Sequence, residues 1–266
     1  LGSALGGSLV EGKLGFRASA YYRRDGGYID RERYLDPSQR EGNSNFIDSY
    51  AARVALTWAP NDWLSFTPSL LAQKLEQNDT PTVWSILSDE GSLRYVSGNG
   101  QPSTSKDRFV LPALSIKADL GAAELISNTS YFDRSEATVY DYTLFDISYF
   151  SPGGDPAVFY AIPGFYSESP QRNRQENFTQ ELRIQSADPD AKVSWVVGAF
   201  YLHAKQKSRQ TVNVPFLGDY FGVPVEDIFG APLIDGVVGY IDNFDAKETE
   251  LAGFANISYA LTDRLK

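Results

Sequence analysis

The feature that most narrows the fold of this chain is the rhythm of its connections. Segments of period-two alternation follow one another along the sequence, and the links between them are short and long in strict turn. In Lys13–Arg23, Leu14, Phe16, Ala18, Ala20 and Tyr22 share one face, while Lys13, Gly15, Arg17, Ser19, Tyr21 and Arg23 share the other. Side chains on a strand point alternately to its two sides, so this run specifies a strand with one apolar and one polar face. Its length of about 11 residues is what a tilted strand needs to cross a bilayer. Ala52, Val54, Leu56 and Trp58 oppose Arg53, Ala55 and Thr57 in the same way. Leu64, Phe66, Leu70 and Ala72 oppose Ser65, Thr67, Ser69 and Gln73, and further alternating runs follow around Val110–Leu120 and Phe178–Gln185. Glu124–Glu136, Lys192–Lys205 and Glu248–Ala260 read as strands without a clean polar face.

Short links fall at Glu11–Gly12, Ala59–Asp62, Leu120–Ala122, Ala187–Ala191 and Thr262–Arg264. Long ones fall at about Asp25–Asp48, Glu76–Lys106, Ala137–Arg174 and Lys207–Lys247, read here as structureless loops. A compact soluble domain rarely carries four loops of that size, whereas a transmembrane barrel has tight turns at one end and long loops at the other. Up-and-down hairpins bring all four long loops to the same side. Those loops hold 20 of the 34 acidic and 10 of the 24 basic residues, so the net charge of −10 belongs to one rim and the remaining strands are neutral. Trp58 and Trp63 flank a short turn, and Tyr21, Tyr22 and Tyr28 gather where a strand meets a long loop. Rings at strand ends suit a barrel that crosses two membrane interfaces.

The fold expected is therefore all-β: part of an antiparallel up-and-down transmembrane β-barrel with long extracellular loops, residues 1–266 lying wholly within the barrel domain. The competing expectation is a soluble sandwich that buries the same aromatic residues between two sheets. About nine strands are countable, with a possible tenth ending at Val10. Both ends of the sequence read as places where further strands continue, because an open sheet would expose unpaired edges to lipid.

Composition removes several functions. The absence of Cys excludes disulfide frameworks and thiolate metal sites, and net negative charge argues against nucleic acid as a partner. The single histidine, His203, has no Gly-x-Ser-x-Gly elbow to serve, and no phosphate-binding loop or His-x-x-x-His pair occurs. The expectation is thus no catalytic residue, no metal and no cofactor. Acidic pairs such as Asp89/Glu90, Glu226/Asp227 and Asp242/Asp245 read as solvated loop carboxylates. One loop stands out. Tyr140–Tyr166 is dense in rings punctuated by Pro and Gly. Its Tyr142, Tyr149, Phe150, Tyr160, Phe165 and Tyr166 are candidate ligand contacts, since aromatic loops offer large contact area at low entropic cost. The alternative is that these rings pack the loop into a self-contained lid over the barrel mouth. Arg17, Arg53 and Arg183 are candidate lumen-facing residues, able to meet an anionic ligand or the acidic surface of a plug.

Several segments resemble the TonB-dependent outer-membrane receptor family. They are KLGFRASAYYRRDGGYIDR at Lys13–Arg31, LGAAELISNTSYFDR at Leu120–Arg134, FTQELRIQS at Phe178–Ser186, WVVGAFYL at Trp195–Leu202 and FANISYALTDRLK at Phe254–Lys266. The resemblance implies a 22-stranded barrel of the Gram-negative outer membrane, of which this chain supplies under half. It further implies a plug domain and a segment contacting the TonB energy-transducing complex, neither present in this sequence, as the closing C-terminal strand is also absent. The function so implied is energised uptake of a scarce nutrient, a ferric-siderophore-type iron chelate being the commonest case. A passive porin-like channel and an outer-membrane barrel hydrolase are the alternatives.

Overall fold

The computed structural model describes residues 1–36, 38–151, 157–162, 165–188 and 191–261. Its principal strands are β1 (Gly2–Val10), β2 (Leu14–Asp25), β5 (Ile47–Asn61), β6 (Leu64–Gln77), β8 (Ser105–Asp119), β9 (Ala123–Asp141), β10 (Glu168–Ser186), β11 (Val193–Asn213) and β12 (Val238–Tyr259). Each pairs antiparallel with its successor in one sheet of order β1-β2-β5-β6-β8-β9-β10-β11-β12, an up-and-down meander with β1 and β12 at its two ends. The stretch ending at Val10 is thus the first of the nine strands of this sheet among the described residues, and the three weaker runs fall on β9, β11 and β12, with Lys192 and Ala260 one residue beyond the strand ends. Gly12 and Gly121 adopt positive φ in two of the short turns, a backbone state that costs glycine nothing. Thr262–Arg264, and positions 189 and 190 of another expected turn, lie outside the described residues.

Register assigns the faces, because residues opposite one another across a ladder point the same way. Phe16 pairs with Leu56, Val54 with Leu70, Phe66 with Ile116, Leu182 with Ala199 and Tyr201 with Leu251, so one largely apolar face runs across the sheet, interrupted on β9 and β10 by Ser127 and Thr129, both hydrogen-bonded to Gln180. No second sheet covers it among the described residues. Val54 and Leu182, on interior strands, stay 47% and 48% exposed. The sandwich expectation, which needs these side chains in a dry interior, is therefore overturned.

The apolar face forms a belt of constant height. Counted from the short-turn end, it covers Leu14–Tyr22 on β2, Leu64–Ala72 on β6, Ala123–Tyr131 on β9 and Val193–Tyr201 on β11. Nine residues at about 3.3 Å each span about 30 Å along a strand, or about 23 Å of height at a tilt near 40°. Rings mark both edges. Tyr22, Tyr50, Tyr131, Phe178 and Tyr201 close the top of the belt on β2, β5, β9, β10 and β11, and Trp58, Trp195 and Tyr259 lie near its bottom. Tyr22 and Tyr50 pack at 5.0 Å, and Trp58 stacks on Phe66 at 5.5 Å. Of the three tyrosines expected to cluster at this edge, Tyr22 does so, whereas Tyr21 lies on the opposite face and Tyr28 packs edge-on against Tyr95 within a long connection.

Two expectations need correction at the long-loop end. The strands run much further than 11 residues: β9 and β10 have 19 each, β11 has 21 and β12 has 22. The last two loops shrink accordingly to 142–167 and 214–237. The loops are also not structureless. The first two build a small sheet in which β3 (Ile29–Glu32) pairs antiparallel with β4 (Arg40–Glu41) and parallel with β7 (Tyr95–Ser97). Ile29 and Val96 are fully buried there, and the Asn45 side chain accepts from the Tyr28 and Ile29 amides. The other two fold into short helices: α1 (Thr143–Phe150) and α2 (Ala157–Tyr160) in the third, α3 (Leu217–Phe221) and α4 (Val225–Phe229) in the fourth.

Trp84 closes the small sheet by lying over Gly98, where an added Cβ would come within 2.5 Å of the indole. Gly98→Ala is expected to lift this ring and destabilise the 78–104 connection by about 1–3 kcal/mol, the usual cost of overpacking. Limited proteolysis should cut that connection faster, and Trp84 emission should shift red, with the long sheet intact.

Candidate functional site

The four long connections knit into one cap above the sheet. Arg31 of the first reaches the fully buried Asp79 of the second at 3.0 Å, and the Asp79 carboxylate also accepts from the Ser103 amide. The second connection is tied to the top of β9, where Asp141 accepts from the Gln101 amide at 2.9 Å and its own amide donates to the Ser103 hydroxyl. Tyr34 of the first connection packs on Tyr160 of the third at 6.2 Å, with the Arg33 guanidinium over the same ring at 5.3 Å. The third and fourth connections share a hydrophobic core of Ile147, Phe159, Phe165, Val214, Phe216, Leu217 and Val225. Phe159 is fully buried and stacks on Tyr220 at 4.7 Å.

This core divides the six aromatic residues singled out in the sequence. Phe165 is buried at its centre, edge-on to Phe216 at 4.9 Å. Phe150 and Tyr160 are half-buried and packed against the core, and burial raises the Tyr160 phenol well above its ordinary range. Tyr142 sits at the start of α1 and accepts a hydrogen bond from Gln210. Tyr166 is half-buried near Phe165 in the chain. Tyr149 is 67% exposed and stacks on Phe145 at 5.9 Å. From this pair, ring contacts continue through Phe150 to Phe221 and then Phe229 of the fourth connection. An exposed aromatic strip on the cap is thus made by two loops. Phe145, Phe221 and Phe229 belong to it beyond the six, and the signal for the last two was only the density of rings in a second loop.

The three candidate arginines fall on one face. Arg17 pairs with Ala55, Arg53 with Leu71 and Ser19, and Arg183 with Ile126 and Gly198, all on the side opposite the apolar belt. That face carries hydrogen-bonded polar ladders, including Arg134 on Asp107 at 2.7 Å and Asn173 on Glu136 at 2.9 Å. Arg183 is half-buried beside Glu181, while Arg17 and Arg53 are exposed. His203 lies on the other face at the upper edge of the belt, its Nδ1 3.0 Å from the Thr249 hydroxyl. Among the described residues, no group of three or more His, Asp or Glu side chains is placed to hold a metal.

Two carboxyls in the cap respond to acid. Burial lifts Asp146 to about 6, the Ser167 hydroxyl opposing and the Asp141 carboxylate adding to the rise; burial raises Asp141 too. An unfolded Asp titrates near 4. The folded cap therefore holds this proton more tightly, and its stabilisation is full below about pH 4 and is lost as pH rises through about 6. Protection of the cap from proteolysis or hydrogen exchange should be greater at pH 5 than at pH 7.5, and Asp146→Asn should flatten the difference.

No family model and no curated protein sequence matches the chain. Solved structures do. The ferric yersiniabactin uptake receptor FyuA from Yersinia pestis superposes with a TM-score of 0.64 over 98% of this chain and 42% of that one, at 12% identity. The ferric citrate transporter FecA in the unliganded form gives 0.57 over 98% and 39%, at 10% identity. The RagAB peptide importer in its closed-closed state gives 0.55 over 93% and 28%, at 9% identity. The chain spans less than half the length of each. At these identities the likeness is one of fold alone, of this chain to part of each of those structures.

Proposed function

We propose that this chain is part of an outer-membrane barrel whose capped end receives a scarce nutrient for energised, TonB-dependent uptake. A ferric-siderophore-type chelate is the substrate class proposed. The observation that carries the reading is the uncovered apolar belt, about 23 Å high by strand geometry and edged by rings above and below. Such a surface is stable where hydrocarbon replaces water, which supports a lipid-facing belt; long loops on the exterior and tight turns on the inner side are the arrangement such barrels adopt. The opposite, polar face then looks into the barrel, where Arg17, Arg53 and Arg183 would meet the plug domain. Tyr149 and Phe145, joined through Phe150 to Phe221 and Phe229, offer an apolar surface at the mouth. Two of the three structural relatives are described by ferric ligands and one by peptides, which is why the chelate belongs to the proposal.

Val54 lies midway along the belt on β5, and its neighbour Ala55 on the polar face. Val54→Arg is expected to destabilise the lipid-embedded protein by about 2–4 kcal/mol, as for a cation at the bilayer midplane, and Ala55→Arg by far less. Urea unfolding in vesicles measures both; equal effects would remove the lipid assignment.

Uptake of an ⁵⁵Fe-labelled chelate by cells carrying the native protein should stop when the TonB energy complex is deleted. Uptake that continues would mark a passive channel. The double variant Phe145→Ala/Tyr149→Ala should weaken chelate binding by about tenfold or more, as truncation of aromatic anchors does, with the amount of protein in the membrane unchanged.

A further inference from the structure

The polar face of β12 carries side chains that neither the cap nor the polar ladders use. Register sets Tyr240 opposite Val212, Asp242 opposite Gln210 and Phe244 opposite Ser208, all on the side away from the apolar belt. Tyr240 and Phe244 are 56% and 50% exposed, and Asp242 is exposed between them. Among the described residues, no ring packs on Tyr240 or Phe244, and the Asp242 carboxylate makes no hydrogen bond or ion pair. Alternate residues of a strand stand about 7 Å apart on one face. A free carboxylate is therefore bracketed by two uncovered rings.

Height and neighbours place this group at the mouth. On β12 the belt ends near Leu251, opposite Tyr201. Asp242 stands about 20 Å above that edge, at 3.3 Å per residue and a tilt near 40°. It also adjoins the aromatic strip of the cap. Gln210, across the ladder from Asp242, donates to the Tyr142 hydroxyl at 3.3 Å, and the Tyr142 ring packs on Phe145 at 5.0 Å.

The surface so formed is of one sign. Segments 142–167 and 214–237 hold six Asp or Glu and no Lys or Arg. On the polar face of β8 to β12 above the belt, the one cation among the described residues is Arg134. Asp107 and Glu136 already hold it, at 2.7 and 3.5 Å. An anionic solute meets no free counter-charge there. An ammonium or guanidinium group meets a carboxylate for a charge-assisted hydrogen bond and ring faces on either side for cation–π contact. We infer that Tyr240, Asp242 and Phe244 bind a protonated amine or guanidinium group of the imported solute, whose apolar part lies on the strip of Phe145 and Tyr149. The inference rests on the uptake reading above and narrows it to a cationic amphiphile. An amine-bearing ferric chelate and a short basic peptide share that chemistry.

The test measures binding to the full-length native protein, purified from membranes, by calorimetry with two sets of probes. One is a ferric trihydroxamate ending in a primary amine, with its N-acetyl and N-succinyl forms, which are cationic, neutral and anionic around the same iron centre. The other is a short lysine peptide and its Nε-acetyl form. The amine is expected to bind about tenfold or more tightly than its acetylated form, the size of one hydrogen bond to a charged group. Asp242→Asn and Phe244→Ala should remove that preference and Asp242→Glu keep it, with the amount of protein in the membrane unchanged. Preference within the chelate set supports both the subsite and the chelate. Preference within the peptide set, with no chelate bound, supports the subsite and removes the chelate. Chelate binding that ignores the amine, favours the succinyl form or survives Asp242→Asn unaltered overturns the subsite and leaves the chelate standing. Binding of no probe removes both. A plug domain seated on this strand is the competing occupant: Asp242→Asn would then hasten proteolysis of the plug and leave any amine preference untouched, which overturns the inference.

Discussion

A β-sheet whose apolar face has no second layer must find an apolar solvent, and much else in this molecule follows from that constraint. Soluble proteins remove such a face from water by stacking a helix or another sheet on it. Here nine strands lie side by side with nothing stacked on their Leu, Val and Phe side chains, among the described residues. The buried hydrophobic cluster formed by Phe159, Phe165 and Phe216 lies instead in the cap of connecting loops. The usual arrangement is inverted: the apolar core sits in the loops, and the strands carry their apolar side chains outward.

That inversion explains why the loops must be ordered. Strands held by backbone ladders gain their cohesion from hydrogen bonds and from the surrounding medium, whereas a loop of 24 or 26 residues in water has to supply its own. The third and fourth connections do so with rings, and the first two with the Arg31–Asp79 pair, the Asn45 anchor and the Trp84 lid. The extension of β9 to β12 serves the same end. Those strands rise well past the belt, so the cap rests on a continuous hydrogen-bonded wall.

What was legible in the sequence was whatever obeys period two. Leu14, Phe16, Val54, Leu56 and Leu70 marked one face by spacing alone, and Arg17, Arg53 and Arg183 fell on the other by the same rule. What escaped was set by partners distant in the chain. Nothing local shows that Glu168 continues a strand upward, because its ladder partners are Asp141 and Asn213. Nor could ring density in one loop reveal which rings face inward. Phe165 is buried because Phe216, some fifty residues on, packs on it, and Tyr149 is exposed because, among the described residues, only the rings of Phe145 and Phe150 pack on its own.

The charge pattern shows how far composition can mislead. A net of −10 read over the whole chain suggests a surface that repels anions, and the loops alone bear that out. Register changes the conclusion, since three rungs of the outward face of the upper strands carry ten cations against five acids, while most of the other acids go to the rim and to the polar face. Lys205 and Lys247 lie 42 positions apart in sequence and directly opposite in the sheet. Like charges set opposite one another in this way oppose the pairing, so the register is held by the rest of the ladder and not by local charge.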